Sequence, residues 1–111
     1  MDEARYQKLA DAALRAIEDM LVDVDAEVVD IDRAGDVITL TFPKSKAISN
    51  TQRPTRQIWL AANARAWHFS WDDASDRWLD DKGQNVELLA QVASIVKESG
   101  GVDVTPTQPR R

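Results

Sequence analysis

A chain of 111 residues with 43% hydrophobic and 30% charged side chains has the size and composition of one globular domain. It contains no cysteine, which excludes a disulfide framework, a thiolate metal site and a cysteine nucleophile. The formal net charge of −5 disfavours binding to a phosphate backbone, so nucleic acid is not an expected partner.

The first predicted element is an amphipathic helix from residue 2 to about residue 22. Its apolar residues recur at spacings of three and four, in the order Tyr6, Leu9, Ala13, Ile17 and then Met20 or Leu21. Asp2 is the predicted N-cap. Acids near the C-terminal end, such as Asp19 and Asp23, have the wrong sign for the helix dipole and cost up to roughly 1 kcal/mol per exposed charge. Acids kept at such positions indicate a use beyond folding.

Seven acids, with no lysine or arginine among them, lie between positions 18 and 32. We call them the acidic ridge: Glu18, Asp19, Asp23, Asp25, Glu27, Asp30 and Asp32. The rest of the chain carries 12 acids against 14 bases, so the protein is predicted to be electrically two-sided. Carboxylates are hard ligands that suit Mg, Ca, Mn or iron, but the spacing is not that of an EF-hand. We expect an open ridge that binds cations weakly, with a solvated face that serves solubility as the alternative.

The middle of the chain is predicted to be a run of short strands joined by tight turns. The predicted strands are 27–32, 37–42, 47–50, 57–62, 66–71 and 77–80, and the turns between them include 33–36, 43–46, 63–65 and 72–76. Apolar and polar residues alternate along these strands, which indicates one buried and one wet sheet face. Such an arrangement is typical of an antiparallel meander.

A second helix is predicted from residue 86 to about residue 98, with Asn85 as its N-cap and Gly100-Gly101 at its end. Residues 102–111 have no periodicity and are predicted to be a tail of a single domain, 1–111. The order helix, strands, helix predicts an α+β two-layer sandwich. Both helices then pack on one face of an antiparallel sheet of five to six strands, and the other face stays open.

The N-terminal residues are acidic and helical, unlike a basic leader before an apolar run. No apolar stretch has the length of a membrane span. We therefore expect a cytoplasmic protein with no membrane partner.

The strand at 57–62 is predicted to lie in the middle of the sheet and to form its working surface. Ile58 and Leu60 alternate with Gln57 and Trp59, so the two pairs face opposite sides of the sheet. If the helices cover the face of Ile58 and Leu60, Trp59 is exposed, as expected for a partner-binding hot spot. The alternative is that Trp59 packs under a second layer. His68, the single histidine, should lie beside Trp59, and alone it provides neither a zinc site nor a catalytic triad.

The string Asn50-x-Gln52-x-Pro54-x-x-Gln57-Ile58-Trp59-Leu60, followed by Trp67-His68-Phe69-x-Trp71, resembles the frataxin family, in its bacterial branch. The resemblance extends from about residue 6 to residue 96 and includes the acidic first helix. It implies the sandwich described above, an iron-binding acidic ridge, and a role in iron–sulfur cluster assembly through contact with a cysteine desulfurase and a scaffold protein.

By position, the resemblance implies that all seven acids of the ridge are iron ligands. The implied partner-binding residues are Asn50, Gln52, Arg53, Gln57, Trp59 and His68. Two positions depart from the family pattern. Val22 replaces an acid that bacterial relatives often carry, and His68 stands where eukaryotic members carry arginine.

The leading hypothesis is a non-enzymatic, monomeric regulator that binds Fe2+ or Fe3+ weakly and reversibly and supplies iron to, or regulates, the assembly machinery. A second hypothesis is iron storage or detoxification with ferroxidase activity and iron-dependent oligomers. A third is an acidic protein-interaction module without a metal role. Oxygen consumption per iron separates the first two, and selectivity for iron over magnesium tests the third.

Overall fold

The computed structural model describes residues 1–107, which form two helices, six strands and one short 3-10 turn. The elements are α1 (Glu3–Leu21), β1 (Asp30–Ala34), β2 (Val37–Thr41), β3 (Lys46–Gln52), the 3-10 turn Arg53–Thr55, β4 (Gln57–Ala62), β5 (Arg65–Asp72), β6 (Arg77–Asp80) and α2 (Leu88–Gly100). The strands form one antiparallel sheet in the order β1-β2-β3-β4-β5-β6. Both helices pack on one face of it, so the predicted α+β two-layer sandwich is confirmed.

One hydrophobic core lies between the helices and the covered face of the sheet. Its strand residues include Ile38, Leu40, Ala47, Ile58, Leu60 and Phe69, and its helix residues include Tyr6, Leu14, Ile17, Leu89 and Val92. Because side chains alternate along a strand, the residues between these core positions face the other side of the sheet. No helix covers that second face within the described residues, and we call it the open face.

The start of α1 is capped as predicted. The Asp2 carboxylate accepts a hydrogen bond of 2.8 Å from the backbone N–H of Arg5, which satisfies one of the unpaired donors of the first turn. The last turn contains no basic residue, so no side chain of the helix's own last turn offsets the acids at the negative end of the helix dipole. Neither helix in the described part of the chain has the apolar length needed to cross a membrane.

The first strand begins later than predicted. The Asp25 carboxylate accepts from the backbone N–H of Glu27 at 2.9 Å, and its carbonyl accepts from the N–H of Val28 at 2.9 Å. This local turn competes with extended backbone. The strand therefore runs over Asp30–Ala34 rather than 27–32, and the hairpin that follows turns at Gly35, whose φ of +59° suits a residue without a side chain.

The start of α2 was also predicted wrongly. Asn85 has a φ of +57° in the preceding loop and does not cap the helix. The N-cap is Glu87, whose carboxylate accepts from the N–H of Leu89 at 2.8 Å and of Ala90 at 3.0 Å. The helix starts later because Val86 is bonded to the edge of β6: its N–H donates to the Asp80 carboxylate at 2.8 Å and its carbonyl accepts from the Asp80 N–H at 2.9 Å.

The end of α2 matches the prediction, since Gly101 is its left-handed C-cap with a φ of +72°. Residues 102–107 contain no helix or strand. Val102 and Val104 are half-buried and pack against the core. The remainder of the predicted tail, 108–111, lies outside the described residues.

Leu60→Ala should destabilise the protein far more than Trp59→Ala, because these neighbours lie on opposite faces of β4. Leu60 is 2% exposed, so its truncation leaves a cavity and should cost about 2 to 5 kcal/mol of unfolding free energy. The Trp59 side chain is only half-buried, and its loss should cost about 1 kcal/mol or less. Urea unfolding measures both values. The opposite order would mean that β4 is shifted by one residue.

Candidate functional site

The acidic ridge follows the end of α1, the connection after it and the edge strand β1. Glu18 is half-buried, and the other six acids of the ridge are exposed. Val22, which lies among them as the C-cap of α1, is 73% exposed. The ridge is therefore an exposed surface around one edge of the sheet, interrupted by an exposed apolar side chain.

Arg33 neutralises part of this surface from within the fold. It pairs in register with the buried Ile38 and so lies on the helix side of β1. Its guanidinium donates to the Glu18 carboxylate at 2.9 Å and to the Asp11 carboxylate at 2.6 Å. The hydrogen bond from Arg33 lowers the pKa of Asp11, and the bond to Glu18 raises the pKa of Arg33. Glu18 therefore has an internal counter-ion, whereas within residues 1–107 no ion pair engages the six exposed acids of the ridge.

Asp30 and Asp32 lie on the open face. Asp30 pairs with Thr41, and Asp32 pairs with Thr39. These two positions alternate with Ile31 and Arg33, which face the helices. The ridge thus extends from α1 around the edge strand onto the open face. Among residues 1–107, no three histidine, cysteine, aspartate or glutamate side chains form a group that could hold a metal ion. A cation on the ridge would be bound by one or two carboxylates and by water.

A stacked aromatic pair, supported by hydrogen bonds from neighbouring side chains, occupies the open face of β4 and β5. Trp59 and His68 are register partners whose rings stack at 4.3 Å with an interplanar angle of 19°. The Trp59 indole N–H donates to the Gln57 side-chain oxygen at 2.9 Å. The Gln57 amide nitrogen donates to Ser70 at 3.2 Å and to Asp81 at 3.1 Å, and the Asp81 carboxylate is 3.7 Å from His68 Nδ1. These five residues, which we call the Trp59 network, hold the ring of Trp59 in place.

A shallow groove of about 190 Å³ lies beside the network. It is lined by Ile48, Asn50, Trp59, Leu60, Ala61, Ala66 and His68. Ile48 is 41% exposed because it lies on the open face and is not part of the core. The groove therefore combines an exposed apolar floor with an aromatic wall.

Five of the six predicted partner-binding residues come together on the open face. Asn50 and Gln52 are joined by a hydrogen bond of 3.3 Å on β3, next to the Trp59 network. The sixth, Arg53, lies in the 3-10 turn at the end of the sheet, where its guanidinium is 3.3 Å from the Asp36 carboxylate. It belongs to the rim of the sheet rather than to the face.

Sequence reasoning missed Ile48, Ser70 and Asp81. Ile48 and Ser70 could have been found from the alternation alone, since they occupy open-face positions next to Asn50 and His68. Asp81 follows the end of β6, and its approach to His68 depends on the pairing of β5 with β6. No local pattern in the sequence signals that contact.

The fold and its surfaces define a small α+β protein with an acidic edge and a bare aromatic sheet face. The frataxin-like domain, as a family model, matches residues 1–101. The chain belongs to the frataxin family, in its bacterial branch.

Curated relatives named iron–sulfur cluster assembly protein CyaY are similar to most of the chain. The Pseudomonas aeruginosa protein is 39% identical over 105 residues, covering 94% of this chain and 95% of the relative. The Paraburkholderia xenovorans protein is 37% identical over 105 residues, covering 94% and 96%. A solved structure of frataxin from Psychromonas ingrahamii is 29% identical, with a TM-score of 0.86 over 96% of this chain and 99% of that one.

Arg33→Gln should remove a pH-dependent part of the stability. Because the pKa of Asp11 is lowered in the folded protein, the pair stabilises the fold above the ordinary aspartate pKa of 3.8 and loses this effect as the pH falls below it. The carboxylates are partly exposed, so the loss at pH 7 should be about 1 kcal/mol. Urea unfolding at pH 7 and in more acidic buffer measures the difference, which should shrink in acid.

Arg15→Gln is the matched control, since Arg15 contacts the same Asp11 at 2.6 Å from an exposed position. It should change stability by less than about 0.5 kcal/mol. Equal losses in the two variants, or a loss in Arg33→Gln that does not depend on pH, would contradict the role given to Arg33.

Proposed function

We propose that this protein acts in iron–sulfur cluster assembly as an iron-binding regulator or supplier. It carries iron loosely on the acidic ridge and contacts the cysteine desulfurase and the scaffold protein through the open face. The observation that carries the proposal is the ordered Trp59 network on a bare sheet face that is continuous with the acidic edge. The name that the curated relatives share supports it. We expect this role for a monomer in the cytoplasm.

The chemistry of the ridge supports weak and reversible iron binding. Within residues 1–107, no ion pair engages the carboxylates of Asp19, Asp23, Glu27, Asp30 or Asp32. Exposed carboxylates attract a hard cation such as iron but leave most of its coordination positions to water. Such sites give up their ion readily, as a protein that delivers iron requires. The internal pair with Arg33 makes Glu18 the weakest candidate ligand of the seven.

The open face suits a protein partner. Trp59 offers a large rigid surface, and its hydrogen bond to Gln57 and its stack on His68 fix its orientation before binding. A side chain ordered in advance loses less conformational entropy in a complex. Asn50 and Gln52 provide polar groups beside it, in the arrangement of an aromatic centre with a polar rim.

The open face and the ridge also form one surface. Asp32 pairs with Thr39, which pairs with Ile48, so these three lie in one row across the sheet. With strands about 4.8 Å apart, Asp32 is on the order of 10 Å from the apolar floor of the groove. A partner that covers Trp59 can therefore contact the edge acids as well, and basic residues on that partner would complement them.

Iron should perturb the ridge and leave the Trp59 network largely unchanged. Anaerobic titration of the 15N-labelled protein with Fe2+ should broaden amide signals between residues 19 and 32 and spare Trp59 and His68. Asp19→Asn combined with Asp23→Asn should weaken the broadening and raise the melting temperature, because it removes like charges at the end of α1.

Glu3→Gln, which removes an exposed acid at the other end of α1, is the control and should leave the titration unchanged. Broadening centred on His68 would place the metal elsewhere. Equal responses to Fe2+ and Mg2+ at matched ionic strength would favour an acidic interaction module, and partner-independent oxygen consumption with each iron added would favour ferroxidase storage.

Trp59→Ala should weaken binding to the desulfurase by about 2 kcal/mol or more, which is about 30-fold, while the iron titration stays the same. Isothermal titration calorimetry with the purified desulfurase measures the loss. Ala90→Gln, on an exposed position of α2 and so away from the open face, should bind like the wild-type protein. Undiminished binding by Trp59→Ala would remove the open face from the proposed interface.

A further inference from the structure

The hydroxyl of Tyr6 lies between two backbone groups of the sheet. Tyr6 is on the buried face of α1 and is 1% exposed. Its O–H donates to the Gln57 carbonyl at 2.6 Å and accepts from the Gln52 N–H at 3.0 Å. Gln52 and Gln57 are register partners at the end of the β3–β4 pair. One side-chain oxygen from the helix layer is therefore inserted where the last strand residues face each other.

This oxygen sets the width of the β3–β4 connection. A direct hydrogen bond between the Gln52 N–H and the Gln57 carbonyl would need about 2.9 Å, and the inserted hydroxyl keeps the two groups farther apart. The connection between them contains Arg56 in the left-handed region, with a φ of +54°, and its guanidinium lies 5.8 Å from the centre of the Tyr6 ring. Burial raises the pKa of Tyr6, so the hydroxyl keeps its proton at neutral pH.

The two residues held by Tyr6 also orient the open face. The Gln57 side chain accepts from the Trp59 indole at 2.9 Å, and the Gln52 side chain donates to Asn50 at 3.3 Å. A shift in the backbone of Gln52 or Gln57 also shifts the Cα from which its side chain extends, and so changes where that side chain lies. Four hydrogen bonds therefore connect the helix layer to the open face. Two join the Tyr6 hydroxyl to the backbone of Gln52 and Gln57, and two join the side chains of these glutamines to Asn50 and Trp59.

We propose that Tyr6 is a positioning residue for the open face: its hydroxyl fixes the spacing of Gln52 and Gln57 and, through them, the orientation of Trp59 and Asn50. This inference deepens the proposed function, because it names the group that sets the geometry of the recognition surface. Tyr6 itself is only 1% exposed, so a protein bound to the open face would not contact it directly. Its effect on recognition is indirect, through the side chains it places.

Tyr6→Phe tests the inference, since it keeps the ring that packs edge-on against Trp78 at 6.1 Å and removes only the hydroxyl. In 15N NMR spectra, the Gln52 amide should exchange with solvent at least about tenfold faster, and the Trp59 indole and Gln57 side-chain signals should shift. Desulfurase binding should fall several-fold. Thr55→Val is the matched control, because it removes another hydroxyl of the same connection, one that donates to the Gln52 carbonyl at 3.3 Å. It should leave the Trp59 and Gln57 signals in place.

A second control separates positioning from general loss of stability. Val92→Ala weakens the core from α2, where Val92 is fully buried, and should not shift the Trp59 or Gln57 signals. The inference is overturned if Val92→Ala reproduces the changes of Tyr6→Phe. It is also overturned if Tyr6→Phe leaves the Gln52 exchange rate and the Trp59 indole signal unchanged.

The binding results distinguish this inference from the proposed function. If Trp59→Ala binds the desulfurase normally, the proposed use of the open face fails, and the NMR comparison still decides whether Tyr6 positions Gln57 and Trp59. If Trp59→Ala loses binding but Tyr6→Phe does not, the open face is the interface, and the inference that Tyr6 sets the geometry needed for recognition is overturned.

Discussion

The structure depends on one constraint: a six-stranded sheet has two faces, and the chain provides helices for only one. Burial of the covered face removes its apolar side chains from water, which is the main favourable term in folding. The strict alternation of a strand then places every intervening side chain on the open face. The position of Trp59, the course of the groove and the placement of Asp30 and Asp32 on the open face all follow from this division.

The sequence predicted those features that depend on local periodicity. The bounds of β4 and β6, the N-cap at Asp2 and the opposite orientation of Leu60 and Trp59 agree with the structure, because each is encoded in adjacent residues. The start of β1 was predicted wrongly because the side chain of Asp25 stabilises a turn within a stretch whose residues are otherwise typical of a strand. The start of α2 was predicted wrongly because Val86 is hydrogen-bonded to Asp80. The spacing of apolar residues that predicts a helix gives no sign of this contact.

The electrostatics show a similar limit. Counted along the chain, the acidic ridge contains no base, yet Arg33 follows directly after it and folds back onto α1 through two carboxylates. Whether a carboxylate of α1 has a counter-ion depends on which face of the sheet Arg33 occupies, and that face is set by the register of β1 on β2. The ridge as a cation surface and Trp59 as a recognition residue were predicted from the pattern of residues, whereas iron as the cation and the cluster-assembly partners were expected from the resemblance to a family and are proposed for this chain. The structure contributes the geometry on which those proposals can be tested: which acids are exposed, and which side chains are ordered beside Trp59.

The order of strands in the sheet also bears on how the protein reaches its folded state. Every strand pairs with its neighbour in the chain, so the whole sheet is assembled from short-range hairpins whose loop-closure entropy is small. The contact of Tyr6 with Gln57 spans 51 residues and requires α1 to be docked on the sheet. The sheet face that carries Trp59 is thus built from local pairings, whereas its final adjustment depends on a contact between residues that are far apart in the chain.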